Sequence, residues 1–313
     1  MTATTPPAAF REGFRPAVDR GRPAEAWRGF VTAARLGWQV EANWTDPLMF
    51  FIYSVARPVF STLIIVVMVQ VISGGQAGPL QAFVVIGSAL WALVTSGIAG
   101  LAQGVLEDRE RYRMLKYIYV SPTSFAVALL GRGLARILIG AIGAVITLAL
   151  GVLVLGVRFD PVRIDWLLLV GSTVFGFVSI MAFGAVLAAV VLQTRQESWS
   201  YPEAVAGALF LLVGAIFPLA VLPTPLQAVG LALPMTWWMG GVREALFPGG
   251  VSSIGGEGSL YTALTGRATP GSAEILVALL ATTLLVTLAA AAAFRWSERR
   301  AKDRGLIDQT TGS

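Results

Sequence analysis

The 313-residue chain contains no cysteine and no histidine. Those absences remove disulfides, thiol nucleophiles, the commonest metal ligands and the usual neutral-pH general base. Charge is scarce as well. Asp, Glu, Lys and Arg together supply 13 % of the residues, about half the share found in a soluble domain. There are two lysines, Lys116 and Lys302. Neither follows a glycine or precedes Ser or Thr, so no G-x-x-x-x-G-K-[ST] phosphate loop is present and the chain holds no Walker-type ATPase. No apolar block carries a carboxylate near its middle, which argues against a proton- or sodium-coupled carrier and against a membrane enzyme with convergent acids and bases.

What the chain has instead is apolar residues, 56 % of the total, in blocks long enough to cross a hydrocarbon core of roughly 18–20 residues. The reading is an all-α integral membrane fold with six spans: about 48–72 behind Thr45-Asp46-Pro47, about 81–106, an apolar body at 137–157 approached from Thr123, then 166–192, 203–222 and 273–295. Only a helix satisfies its own backbone in lipid, so each is helical. Residues 1–24 read as a disordered tail, 25–44 as a separate amphipathic helix, 45–296 as the six-span domain and 297–313 as a C-terminal tail. The first 47 residues show no signal peptide.

Basic residues orient the spans. Of the 23 lysines and arginines, all but Arg158, Arg163, Arg243 and Arg267 fall in segments on one side when the N-terminus is inside. Both termini are therefore expected in the cytoplasm, as the positive-inside rule requires. The same placement explains the net charge of +5 without nucleic acid as a partner. In 25–44, Trp27, Phe30, Val31, Ala34, Trp38 and Val40 recur at three- and four-residue spacing against Arg28, Arg35 and Glu41, the pattern of a helix lying on the inner membrane surface with lipid as its partner. The alternative is a helix packed on another part of the protein.

Two stretches carry more information than the spans. The most charged is Glu107-Asp108-Arg109-Glu110-Arg111-Tyr112-Arg113, running into Met114-Leu115-Lys116-Tyr117-Ile118-Tyr119-Val120-Ser121-Pro122. A short helix around 108–121 would place charge on one face and Leu115, Ile118 and Tyr119 on another, with Ser121-Pro122 opening the third span. It reads either as a solvated connector or as a docking helix for a cytoplasmic partner. The second stretch runs from Gly214 to Trp238 and holds Pro218, Pro223, Pro225 and Pro234. Four prolines do not fit one continuous helix, yet the segment is too apolar for a free loop. Short broken helices dipping into the outer leaflet, with Trp237 and Trp238 at the interface, are expected, or else an external loop folded over the bundle. Arg57, in the inner half of the first span, is a costly intramembrane charge. It snorkels to headgroups, pairs with Glu107 or Asp108, or meets an anionic substrate. Glu197 reads as solvated, Glu203 as favoured by a helix dipole, and glycine-rich 249–258 as a flexible external loop.

Phe217-Pro218, Leu222-Pro223 and Gln227, followed by Leu233-Pro234 and Thr236, form a pattern F-P-x-x-x-L-P-x-x-x-Q…L-P-x-T that resembles ATP-binding-cassette exporter permeases of the second type. The charged loop ending in Val120-Ser121-Pro122 resembles that family's coupling helix between spans two and three, although Arg113-Met114-Leu115-Lys116 stands where many members carry Gly-Thr-Leu-Glu. The order of parts is similar over nearly the whole chain. The resemblance implies a permease subunit of a bacterial exporter in the cytoplasmic membrane, with no cofactor of its own. A separate nucleotide-binding subunit would hold ATP and magnesium, and a second permease chain, identical or related, would complete the pathway. It further implies a coupling surface at Arg109, Glu110, Arg113, Leu115, Ile118, Tyr119, Ser121 and Pro122. An outer gate and re-entrant hairpin would fall at Phe217, Pro218, Leu222, Pro223 and Pro234. Apolar spans suit an amphipathic or lipid-like cargo. An ion-coupled secondary transporter is the alternative.

Overall fold

The structure is a computed structural model that describes residues 23–42, 48–49, 52, 56–72, 74, 78–120, 124–153, 156–157, 160–194 and 200–303. The described residues are mostly helical, with no strand among them. In chain order the helices are α1 (Pro23–Ala42), α2 (Arg57–Ile72), α3 (Gly78–Leu106), α4 (Leu115–Val120), α5 (Phe125–Leu153), α6 (Trp166–Gln193), α7 (Tyr201–Leu212), α8 (Thr224–Ala232), α9 (Pro234–Leu246), α10 (Leu260–Thr265) and α11 (Ser272–Asp303). Among the described residues, four stretches are long and apolar enough to cross a membrane: Leu80–Arg111, Phe125–Leu153, Trp166–Gln193 and Ser272–Asp303. Val59–Ile72 and Tyr201–Leu212 are shorter apolar helices.

Helix α3 is the hub. It packs against α5, α6, α2 and α7, and Val84, Ala89, Val94, Ile98, Ala102 and Val105 along it are fully buried. Its side chains join those of α5, α6, α9 and α11 in one apolar core. Opposite faces remain uncovered by protein: Phe60, Ile64 and Val71 on α2, Leu167, Val170 and Val174 on α6, and Val277, Leu284 and Leu288 on α11 are exposed. A soluble domain would bury such residues. In lipid the uncovered faces cost nothing, because the solvent is as apolar as leucine.

Several boundaries differ from the sequence reading. The fifth span was expected at 203–222, but α7 stops at Leu212. Gly214 adopts a left-handed conformation (φ 70°), and the chain turns into a short 3₁₀ segment at Leu219–Val221. Twelve residues rise only about 18 Å at 1.5 Å each, well short of the roughly 30 Å hydrocarbon core. The last helix runs on to Asp303 rather than giving way to a tail at 297. Its final turns are held by packing: Ser297 Oγ donates to Ala189 O at 2.6 Å, and Gln193 Nε2 donates to Ser297 O at 2.8 Å. Residues 1–22 and 304–313, Ser121-Pro122 and residues 195–199 lie outside the described residues, as do the side chains of Arg57, Lys116 and Tyr119.

The N-terminal helix has two faces. Ala33 and Gly37 are buried, Phe30, Ala34 and Glu41 are half-buried, and all five lie on the side that meets α5. The approach is close because the residues are small: a side chain on Gly131 of α5 would come within 2.6 Å of Phe30 O and 2.8 Å of Ala33 Cβ. Small residues let helix backbones meet at this distance. Trp27, Val31, Leu36, Trp38 and Val40 face away from the protein and are exposed. Packing on the bundle and an apolar outer face therefore coexist on the same helix.

Candidate functional site

Helices α3, α5, α6 and α11 share two ends. At one lie the charged connector after α3, the start of α5 and the last turns of α6 and α11. At the other lie the turns and short helices between α7 and α11.

At the charged end, α3 does not stop where its apolar residues do. It widens into a π-helical turn, Glu107–Arg111, so the first five charged residues continue the helix instead of forming a loop. Asp108 and Arg109 are buried and must therefore be paired. Asp108 forms an ion pair with Arg132 of α5. Arg136, one turn further along α5, binds Glu107 Oε2 at 2.8 Å and Glu41 Oε1 of α1 at 2.6 Å. Arg109 donates to Val191 O at 3.3 Å and Thr194 O at 3.1 Å at the end of α6, and pairs with Glu110 at 3.1 Å. A helix C-terminus leaves carbonyls short of intrahelical partners, and Arg109 reaches two there, Thr194 O and Val191 O, the latter also accepting from Thr194 N. One charged stretch thus ties α1, α3, α5 and α6 together. The carboxylates considered as partners of Arg57 are both engaged by arginines of α5.

The chain then reverses through Arg113, whose φ of 50° is left-handed, into α4. Two of the sequence-predicted coupling residues point into this chain. Leu115 is 1 % exposed and belongs to the main core, and Arg109 is 5 % exposed. The expectation that Leu115 fills a partner's groove is corrected here: its side chain is already covered by the bundle. Ile118 is half-buried against the same core. The outward surface is instead Arg111, Tyr112, Arg113, Met114 and Tyr117, all exposed.

At the opposite end, the four-proline stretch forms a pair of short helices. Pro218 and Pro223 are extended residues, each immediately preceding a new helical segment, and Pro234 is the first residue of α9. This is where a missing N–H costs nothing and a fixed φ starts the helix. Gln227 closes the unit. Its Nε2 donates to Leu222 O at 2.7 Å and its Oε1 accepts from Leu260 N at 2.6 Å, which is the physical reason for a glutamine four residues after Leu222-Pro223. Phe217 is half-buried, while Leu222 is buried beneath the hairpin.

Helix α9 is buried along almost its whole length, between α6 and α11. Trp238, expected at the interface, is 1 % exposed and rests on Gly176 of α6, where any side chain would collide with its indole. Trp237 is buried too and donates Nε1 to Leu231 O at 2.8 Å. From there α9 leads out to the start of α6, where Ala245 O accepts from Asp165 N at 3.1 Å.

Arg243, near the end of α9, is the residue that sequence reasoning passed over as external. It is 4 % exposed. Its Nη1 donates to Gly214 O at 2.8 Å and its Nη2 to Ala215 O at 2.5 Å. The guanidinium lies 3.6 Å from the Phe83 ring centroid, the geometry of a cation–π contact. Gly87 of α3 makes room for the clasp, because a side chain there would meet both Ala215 O and Arg243 Nη2. The signal was present in the sequence: a lone arginine ends the apolar run Met235-Thr236-Trp237-Trp238-Met239-Gly240-Gly241-Val242.

The family model for "ABC-2 family transporter protein" matches residues 59–293, which is most of the chain, from the start of α2 almost to the end of α11. The chain belongs to the ABC-2 transporter family. As a member it is a membrane-embedded permease of the transporter type. Both structural units described above, the charged connector and the proline hairpin, lie within the matched region. No curated protein matches the chain.

Proposed function

We propose that this chain is the transmembrane subunit of an ATP-driven exporter, energised by a separate ATPase subunit that holds ATP and magnesium, and paired with a second permease chain across the pathway. Both termini and the charged connector face the cytoplasm of a bacterial cell. Family membership supports the transporter class. The observation that carries the coupling is the division of the charged connector into an inner face stitched to three other helices and an outer face exposed on the surface. ATP hydrolysis in a partner moves the spans only through a surface that contacts the partner differently in two states. The outer face of 111–117 is held by Glu107, Asp108 and Arg109 to α1, α5 and α6 at once, so a push there reaches several helices.

The test uses Met114→Asp and Tyr117→Asp. Both side chains are exposed, so the variants should fold and insert. They should also fail to capture the ATPase in pull-downs and lose substrate-stimulated hydrolysis. Normal capture and coupled export in both variants would place the coupling surface elsewhere. At the other end, Phe217 is proposed to lie near the seam between two permease chains as part of an outer gate. Phe217→Cys should then cross-link between chains in at least one nucleotide state. An active complex that never cross-links there would rule out the gate. The cargo is proposed to be amphipathic or lipid-like.

A further inference from the structure

The outer face of the charged connector has a charge pattern of its own. Every carboxylate of the stretch is engaged: Glu107 by Arg136, Asp108 by Arg132 and Glu110 by Arg109. Arg111 and Arg113 are exposed, and neither has a carboxylate in ion-pair range among the described residues. Arg111 lies instead 5.6 Å from the ring centroid of Tyr112. By sequence, Lys116 adds a third positive charge, and residues 111–120 hold no Asp or Glu. Lys116 stands at the position where many family members carry glutamate, so the charge there is reversed.

The rest of this end of the chain does not change the sign. Residues 194–203 hold Arg195 against Glu197 and Glu203, and residues 295–303 hold Arg295, Arg299, Arg300 and Lys302 against Glu298 and Asp303. Residues 1–22 carry four arginines against two acids, and residues 304–313 are neutral. Between the cations lies an apolar step. Met114 and Tyr117 are three residues apart, with Tyr117 N donating to Met114 O at 2.9 Å, and side chains at that spacing are neighbours on a helical turn. Both are exposed, at 49 % and 66 %. Arginine, tyrosine and methionine together make up the composition of a protein-binding surface, where these types are enriched. A helix seated on a membrane surface combines its basic residues with Trp, Phe or Leu instead, and α1 presents Trp27 and Trp38 in that way.

We propose that the ATPase surface seated on residues 111–117 is acidic: a groove rimmed by carboxylates that receive Arg111 and Arg113, with an apolar floor under Met114 and Tyr117. This rests on the coupling role proposed above and adds to it the chemistry of the partner. A guanidinium without a carboxylate of its own is free to form the bidentate pair that arginine geometry favours. A basic groove meets two like charges here and is repelled. The two kinds of contact divide the work. Charges at a rim set the rate of encounter and its dependence on salt, whereas the packed floor sets how long the complex lasts.

The test measures association and dissociation of the ATPase subunit that co-purifies with the full-length chain, the chain being held in phosphatidylcholine nanodiscs. Three double variants are compared with wild type: Arg111→Glu with Arg113→Glu, Arg111→Lys with Arg113→Lys, and Met114→Ala with Tyr117→Ala. All four positions are exposed, and an unchanged melting temperature confirms that each variant is folded. The expected result is a wild-type association rate that falls steeply as salt is raised. Association falls about tenfold or more in the glutamate pair and stays close to wild type in the lysine pair. The alanine pair keeps the wild-type salt dependence and dissociates faster. The acidic groove is overturned if the glutamate pair associates as fast as wild type or faster, or if salt has no effect. Should Met114→Asp and Tyr117→Asp abolish capture while the glutamate pair binds normally, docking on this face stands and the acidic groove alone is wrong. Normal capture by all of these variants removes the docking reading itself. A membrane is the other possible occupant. Met114→Cys, in a chain with no cysteine of its own, is labelled with a maleimide in phosphatidylcholine and in phosphatidylglycerol nanodiscs. Slower labelling in phosphatidylglycerol without the ATPase, and no slowing when the ATPase is added, would assign the face to anionic lipid and overturn the proposal.

Discussion

Arg243 shows how one side chain can hold a hairpin. Three groups converge on it from two separate parts of the chain: the carbonyls of Gly214 and Ala215 and the ring of Phe83. Replacing it with methionine keeps the length and removes the donors. Two buried carbonyls are then left without partners, at about 1–3 kcal/mol each. Arg243→Met should therefore lower the aggregation temperature of the purified permease markedly, whereas the exposed Arg163→Gln should leave it almost unchanged. Gly87→Leu attacks the same clasp from the α3 side and should cost at least the 1–3 kcal/mol typical of an overfilled core. A melt in detergent comparing the three variants checks this. Equal melting of Arg243→Met and wild type would mean that the clasp contributes nothing to stability.

Among the elements, α1 and α4 behave differently from what their amphipathic patterns suggest. Each presents one face to its own bundle. For α1 the contact runs through Gly37, Ala33 and Gly131, so a larger residue at Gly131 should detach the helix without unfolding the spans. Gly131→Leu is expected to make Arg28 and Arg35 markedly more sensitive to trypsin, while α5 remains protected. Unchanged cleavage would show that α1 tolerates the insertion. For α4, the inward turn of Leu115 separates two kinds of damage. Leu115→Asp places a carboxylate in the core, at several kcal/mol, and should reduce the yield of folded permease. Tyr117→Asp changes only the outer face and should spare the yield. Equal yields from the two variants would mean that Leu115 is accessible after all.

At the scale of the molecule, a membrane orientation is imposed on a bundle with one end tied by ion pairs and the other closed by a proline hairpin. In the proposed orientation, which follows from the positive-inside rule, the ion-paired end lies inside. Single cysteines test this: Ser252→Cys should react with an impermeant reagent applied to intact cells, and Ser313→Cys should not. The reverse pattern would invert the bundle and move the coupling surface to the wrong side of the membrane for an ATPase.

Hydropathy alone determined that this is a helical membrane protein, because long apolar blocks have no other solution in lipid. The Phe217-Pro218…Leu222-Pro223…Gln227 pattern marked the hairpin, because proline acts locally and its effect on backbone hydrogen bonding is legible one residue at a time. Helix length and facing were not legible. Nothing local to 203–222 reveals that the helix ends at Leu212, since apolar composition is equally compatible with a span and with a buried turn whose carbonyls are satisfied by an arginine 28 residues away. Likewise the run from Glu107 to Arg113 reads as a solvated connector or a docking helix, and only the arrival of Arg132, Arg136 and the end of α6 shows that Glu107, Asp108 and Arg109 turn inward. Charges can be buried only when partners from elsewhere arrive with them, and which partners arrive is decided by the packing of helices.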